Sequence, residues 1–284
     1  WSYKLDSIDD ELTISGVVYN EMKGAFSSPD SVLYRYIRHT IFPDNEYSYE
    51  SGGDPQYIPE LSYEEFLDFH RKYYHPSNSY IYLYGDLDPV ERLEFIDREY
   101  LSKYDYLQVD SALTDHVPFM EPREEYKTYP IGDNEDSKDK TYVAYTTTFG
   151  KCTDPKIYYA MNILEYALVN MPGAPVKQAL VESGLAKDLT GGCMTSMDNI
   201  FTFVAVGANE EDKDKIVEVM EDTLRGIVRD GLDKDALRAA LNIYEFKYRE
   251  ADYGGHSKGL FYGLDILESW MFDELHPFTL IDAD

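Results

Sequence analysis

Apolar residues set a helical rhythm from the start of the chain. Ile14, Val17, Val18, Met22 and Ala25 recur at i, i+3, i+4 spacing, which predicts a helix from Asp10 to Phe26 with that stripe inward. Ser28 and Pro29 then open a second helix whose inner face is Leu33, Tyr36, Ile37, Thr40 and Ile41, stopping before Pro43. Residues 43–61 are a long polar loop. Ser62 with Glu65 forms a capping box for a helix ending near Tyr74. His75-Pro76-Ser77-Asn78 reads as a turn, Ser79 to Tyr84 as a strand, and Pro89 to Tyr104 as a helix. Residues 107–139 show no periodicity.

The pattern becomes regular again from Thr141. Thr141 to Phe149 reads as a strand, and Asp154-Pro155 opens a helix with Ile157, Ala160, Met161, Leu164 and Leu168 inward. A short helix from Pro175 to Glu182 ends at Gly184. Leu189 to Thr195 and Ile200 to Val206 read as a strand pair joined by Met197-Asp198-Asn199. Helices follow from Glu211 to Asp230, from Asp233 to Tyr253, and from Lys258 to Phe272. Strands, helices and an antiparallel pair in this order predict an α+β fold, with antiparallel sheets and helices packed on one face. The expected domains are residues 1–106, a linker over 107–140, and residues 141–284.

Composition narrows the function. No apolar run approaches the ~20 residues a membrane-spanning helix needs. The net charge is −28, from 26 basic and 54 acidic residues. That excludes a basic footprint for nucleic acid or an anionic membrane and suits a cationic partner such as a basic peptide. Much of such a charge ordinarily serves as a solvated surface. Two cysteines, Cys152 and Cys193, are too far apart to form a metal motif and are expected to be reduced and buried. The chain opens at Trp1 with neither an initiator Met nor a basic leader, as expected of an internal fragment.

Candidate chemistry is sparse. Glu21 lies on the apolar stripe of the first helix. A carboxylate there must be paired with a nearby Arg or Lys, protonated, or bound to a cation. Neither H-e-x-x-H nor its inverse, H-x-x-e-H, occurs (e marks the glutamate), and His70 and His75 read as packing or surface residues. Gly255-His256-Ser257-Lys258-Gly259 fits a serine-hydrolase elbow, but a helix precedes it where a strand is required. Ser257 therefore reads as a helix cap.

Three segments carry a resemblance. Gly16-Val17-Val18-Tyr19-Asn20-Glu21-Met22-Lys23-Gly24, Ser51-Gly52-Gly53-Asp54-Pro55, and Phe69-His70-Arg71-Lys72-Tyr73-Tyr74-His75-Pro76-Ser77-Asn78 closely resemble the presequence protease and falcilysin group. That group belongs to the inverted-zinc-motif peptidases, with pitrilysin and insulin-degrading enzyme as relatives. A weaker likeness runs through Pro172 to Gly192 and Tyr244 to Asp252.

The resemblance implies a zinc-dependent endopeptidase that degrades unstructured peptides in a closed chamber. It implies that Glu21 is the third zinc ligand. The two zinc-binding histidines and the general base belong to an upstream motif that this sequence does not contain, so the chain alone is expected to be inactive. It also implies that Leu189, Thr190, Gly191 and Gly192 anchor a peptide by strand addition, an ordinary sheet edge being the alternative. The partners would be basic unstructured peptides and the N-terminal and C-terminal remainder of the same protein. The setting would be bacterial cytoplasm or, alternatively, an organelle matrix. A non-catalytic homologous subunit or a peptide-binding scaffold protein is the alternative function.

Overall fold

The computed structural model describes residues 1–250 and 254–282. It contains two compact units that divide between Pro130 and Ile131, within the stretch read from the sequence as a linker.

In the first unit, β1 (Ser2–Lys4) and β2 (Thr13–Ser15) pair antiparallel, with Tyr3 opposite Ile14. The helix expected from Asp10 therefore starts later, as α1 (Val17–Ala25). Cross-strand pairing of Thr13-Ile14-Ser15 outcompetes the helical rhythm, and Gly16, in extended conformation, breaks the chain between them. The expected inward stripe is covered only in part: Ile14 and Met22 are half-buried, but Val17 is 85% exposed and Val18 55%.

The second helix, α2 (Pro29–Ile41), is capped by Ser28, whose hydroxyl accepts from Ser31 N at 3.1 Å. It buries Ile37, as its stripe predicts. The capping box of α3 (Tyr63–Tyr73) is formed on both sides by Ser62 and Glu65. Residues 79–84, read from the sequence as a strand, belong to no ladder, because no strand among the described residues lies alongside to take their hydrogen bonds. Asp88 caps α4 (Pro89–Glu99), which ends five residues earlier than expected, in a tight turn at Leu101–Lys103.

The segment from 107 onward is irregular but tied to this unit. Ser77 Oγ accepts from Leu107 N, Glu46 accepts from Thr114 N, and Asp44 accepts from Val117 N. Backbone donors of an irregular segment need such partners once they leave bulk water.

The second unit is built on a three-stranded antiparallel sheet in the order β3-β5-β4, with β3 (Thr141–Lys151), β4 (Asp188–Met194) and β5 (Asp198–Ala208). β5 is central and buried along most of its length, and β4 is an edge. Phe201, Phe203 and Ala205 on β5 join Val143 and Leu189 on one face, against Val176 and Leu180 of α6 (Pro175–Ser183) and Ile216 and Met220 of α7 (Lys213–Asp230). α5 (Pro155–Glu165) is capped by Asp154 and runs into a π-helical turn at Tyr166–Asn170. α6 ends where Gly184 enters the left-handed region at φ 73°, the usual helix terminator. Asp233 caps α8 (Lys234–Glu250), and Ser257 caps α9 (Lys258–Phe272), as the failed hydrolase motif implies. The end of α8 expected near Tyr253 and the end of the matching stretch at Asp252 lie outside the described residues.

Candidate functional site: an edge strand and an exposed carboxylate

Glu21 sits in the middle of α1 on a turn that carries no buried residue, and its side chain is exposed. The puzzle of a carboxylate on a buried stripe therefore changes form: the stripe is half-buried at Met22 but open at Val17, Val18 and Glu21 itself. Nearby, Met22 approaches the Gly52-Gly53 turn so closely that a Cβ on Gly52 would lie 2.4 Å from the Met22 sulfur. Two of the three resembling segments thus meet next to Glu21. Among the described residues no three His, Cys, Asp or Glu side chains converge as a metal site would require.

The third resembling segment forms α3 and the turn after it. His70 stacks on Tyr74 at 4.7 Å, and His75 meets Tyr104 edge-on at 5.3 Å. Tyr74, His75 and Tyr104, with Phe69, Tyr73 and Tyr100, line an open cleft of about 860 Å³, and His70 stands outside it. His70 lies on the surface, and the half-buried His75 also accepts from Ser77 N through Nδ1 at 3.2 Å.

The residues Leu189, Thr190, Gly191 and Gly192 are the middle of the edge strand β4, in register with Ala205, Val204, Phe203 and Thr202 of β5. Leu189 is buried in the core and Thr190 is exposed. Gly191 has φ +130°, and a Cβ there would stand 2.1 Å from the Thr202 carbonyl oxygen, so only glycine fits. At Gly192 a Cβ would meet the Glu165 carboxyl carbon at 2.5 Å. A glycine inside a strand often marks a close approach, and here the approaching group is Glu165, which the sequence reading passed over.

Glu165 is the last residue of α5. Its Oε2 accepts from Cys193 N at 2.9 Å, and its Oε1 accepts from Asn170 Nδ2 at 2.8 Å. Burial pushes the Cys193 thiol up to about 12, helped by the Glu165 charge, and burial pushes Cys152 up to about 11. Both cysteines are unpaired, and neither is a ready thiolate nucleophile. Tyr244 and Tyr158 are raised by the same burial and by neighbouring carboxylates, Glu165 and Glu268 respectively. The half-buried Tyr158 and Tyr159 meet edge-on at 5.2 Å, and Tyr159 meets the exposed Tyr248 at 5.8 Å.

One unit built on a small antiparallel sheet covered by helices and another that is mostly helical are features shared with known peptidase-like proteins. A peptidase M16 inactive domain from Pseudomonas fluorescens superposes with TM-score 0.61 at 18% identity, over 93% of this chain and 61% of that one. An M16-like peptidase from Alicyclobacillus acidocaldarius gives 0.63 at 16%, over 95% and 64%. These likenesses fix the fold.

Residues 60–244 match the family model described as the peptidase M16 inactive domain, and the chain belongs to that family. Protein HypA of Clostridium perfringens is 44% identical over 96% of this chain and 28% of its own length. Presequence protease 1 of Arabidopsis thaliana, chloroplastic and mitochondrial, is 35% identical over 98% of this chain and 26% of its own. The mitochondrial presequence protease of Drosophila melanogaster is 31% identical over 86% and 24%. The resemblance to the presequence-protease group therefore holds, and the chain spans about a quarter of the length of these relatives. No helix among the described residues is long and apolar enough to cross a membrane.

Proposed function

We propose that this chain is the peptide-holding part of a zinc-dependent endopeptidase that degrades unstructured peptides, with β4 as the anchoring edge and Glu21 as one metal donor. The observation that carries this reading is the position of Leu189 to Gly192 on the sheet edge, where an extended peptide can add as a further strand. Main-chain hydrogen bonds suit a substrate defined by being unfolded, because they do not depend on its sequence.

Glu21 is one carboxylate, and catalytic zinc takes about three protein ligands and an open position. The residues of this chain alone do not fit the metal, and no reaction step follows from them. The remaining donors and the general base would come from other parts of the same polypeptide. The exposure of Glu21 and its place in the segment resembling the presequence-protease group support this assignment. The higher identity to the clostridial protein supports a bacterial setting over an organelle matrix.

Two measurements test the reading. In the longer protein, Glu21→Gln should lower bound zinc and activity together without loss of folding; full zinc content in that variant would remove Glu21 from the metal site. Hydrogen exchange across residues 188–194 should slow when an unstructured basic peptide is added. A second reading, a non-catalytic homologous subunit or peptide-binding scaffold, is favoured by the family model's description as an inactive domain. It predicts slowed exchange on β4 but no zinc in the longer protein.

A further inference from the structure

The β4 edge is not open along its whole length. In an antiparallel ladder, successive residues turn their N–H groups alternately toward the partner strand and away from it. Two outward groups on this edge already have acceptors. Leu189 N donates to Asp188 Oδ1 at 2.8 Å, and Cys193 N donates to Glu165 Oε2 at 2.9 Å. The alternation places Gly191 between them on the same side. Glu165 thus stands where the carbonyl oxygen of an added strand would have to stand to pair with Cys193.

The position of Glu165 follows from the backbone around it. Met171 N donates to Tyr166 O at 2.9 Å, a five-residue bond that widens the end of α5 into the π-helical turn. Residues five apart in an ordinary α-helix point in different directions. In this widened turn Glu165 and Asn170 come onto one side, and Asn170 Nδ2 holds Oε1 at 2.8 Å. Gly192 supplies the space, since any side chain there would displace the carboxylate. Three separate features therefore hold one carboxylate against one edge amide: a π-turn, an amide side chain and a strand glycine.

We propose that Glu165 is a specificity-determining gate on the β4 edge, an internal stand-in for a peptide carbonyl. The inference rests on the reading of β4 as a peptide anchor. With the gate closed, an added strand pairs only up to Gly191, and the edge takes the end of a peptide. With the gate open, pairing extends through Cys193 and the edge takes a continuous strand. The ligand class is an extended peptide main chain. The gate sets its register and how much of it is held, and it shields the edge from pairing with a second copy of the chain.

The test is a gain of binding, which damage to the fold does not produce. The probe is an extended peptide of alternating valine and lysine with a fluorophore at its C-terminus, titrated by anisotropy against the 284-residue chain. Glu165→Ala should bind it about tenfold tighter than wild type, the effect of one additional main-chain hydrogen bond in a partly dry site. Asn170→Ala, which leaves the carboxylate but removes its holder, should fall between. Glu165→Gln keeps an acceptor for Cys193 N and should behave like wild type. Hydrogen exchange adds an independent readout: in the peptide-free proteins the Cys193 amide should exchange faster in Glu165→Ala than in wild type. Equal peptide affinity in wild type, Glu165→Ala and Asn170→Ala would overturn the gate while leaving strand addition intact. Binding by none of the four proteins would overturn strand addition on β4, and the gate with it.

Discussion

His116 Nδ1 lies 2.9 Å from Asp44 Oδ1, across 72 residues of chain. The imidazole is buried, edge-on to Phe42 at 5.1 Å and to Phe119 at 5.6 Å. The second oxygen of Asp44 accepts from Val117 N at 2.8 Å. One carboxylate thus ties the irregular segment after residue 107 to the loop that follows α2. His116→Ala should destabilise the first unit by about 2 kcal/mol, through two lost ring contacts and a vacated buried site. Limited proteolysis should then cut residues 107–130 faster than in wild type. An unchanged cleavage rate there would mean that the segment is held by something other than this pair.

The two adjacent glycines of β4 should respond differently to the same substitution. At Gly191 the new Cβ meets a backbone oxygen of the central strand, which cannot move away, and φ is +130°. Gly191→Ala should therefore cost about 3 kcal/mol or more. At Gly192 the obstacle is the far end of a flexible glutamate. Gly192→Ala should cost about 1 to 2 kcal/mol, mostly from backbone strain at φ +148°, while pushing Glu165 off the Cys193 amide. Denaturant melts of the two variants give the comparison. A larger loss at Gly192 than at Gly191 would contradict the clash geometry.

What the sequence disclosed depended on whether each element finds its partners within this chain. The second unit was readable because β3, β4 and β5 pair with one another, and α6 and α7 cover the same face that Phe201 and Phe203 present. Periodicity, caps and terminator glycines then agree with the tertiary packing. In the first unit the same rules misled. The stripe of α1 predicts burial, yet Val17 and Val18 are exposed, and residues 79–84 have strand composition with no strand beside them among the described residues. Glu165 was missed for a different reason. A π-turn leaves no periodic signature, and a glutamate ending a helix is commonplace. The only available hint was Gly191-Gly192 inside a strand, which says that something comes close but not what.

On the proposed reading, charge should influence which peptides the longer protein cleaves best. The chain carries −28 in 284 residues, more than solubility requires. A site walled by one sign of charge concentrates opposite charge and speeds association. Of two unstructured peptides of equal length, the one rich in Lys and Arg should show the higher kcat/KM, by roughly tenfold at low salt. The gap should narrow as salt shortens the screening length toward ~3 Å at about 1 M. Equal values at low salt would assign the acidic residues to the outer surface.

The second unit should become more stable as pH falls from 7 to 5, opposite to the usual response of a paired carboxylate. Asp265 and Glu268 lie one turn apart on α9, half-buried, and neither makes an ion pair among the described residues. The groups facing them are the phenols of Tyr158 and Tyr159 on α5 and the Cys152 thiol, none of them a cation. Burial pushes the Asp265 carboxyl up to about 6, and burial with the Asp265 charge raises Glu268. The unfolded chain returns Asp265 to its ordinary value of 3.8, so between these two values the folded state binds more protons than the unfolded one. Stability from this group is therefore complete below about pH 4 and is lost as pH rises through about 6. Carboxylates on the same unit with lowered values, such as Asp139 and Asp230, act only below pH 4 and leave this window alone. Relief of general charge repulsion acts in the same direction, so a variant must separate the two. Asp265→Asn keeps the shape and removes the titration. It should raise the melting temperature at pH 7 and flatten the slope between pH 5 and 7. The same slope in wild type and variant would show that the whole-molecule charge, and not this buried pair, sets the response.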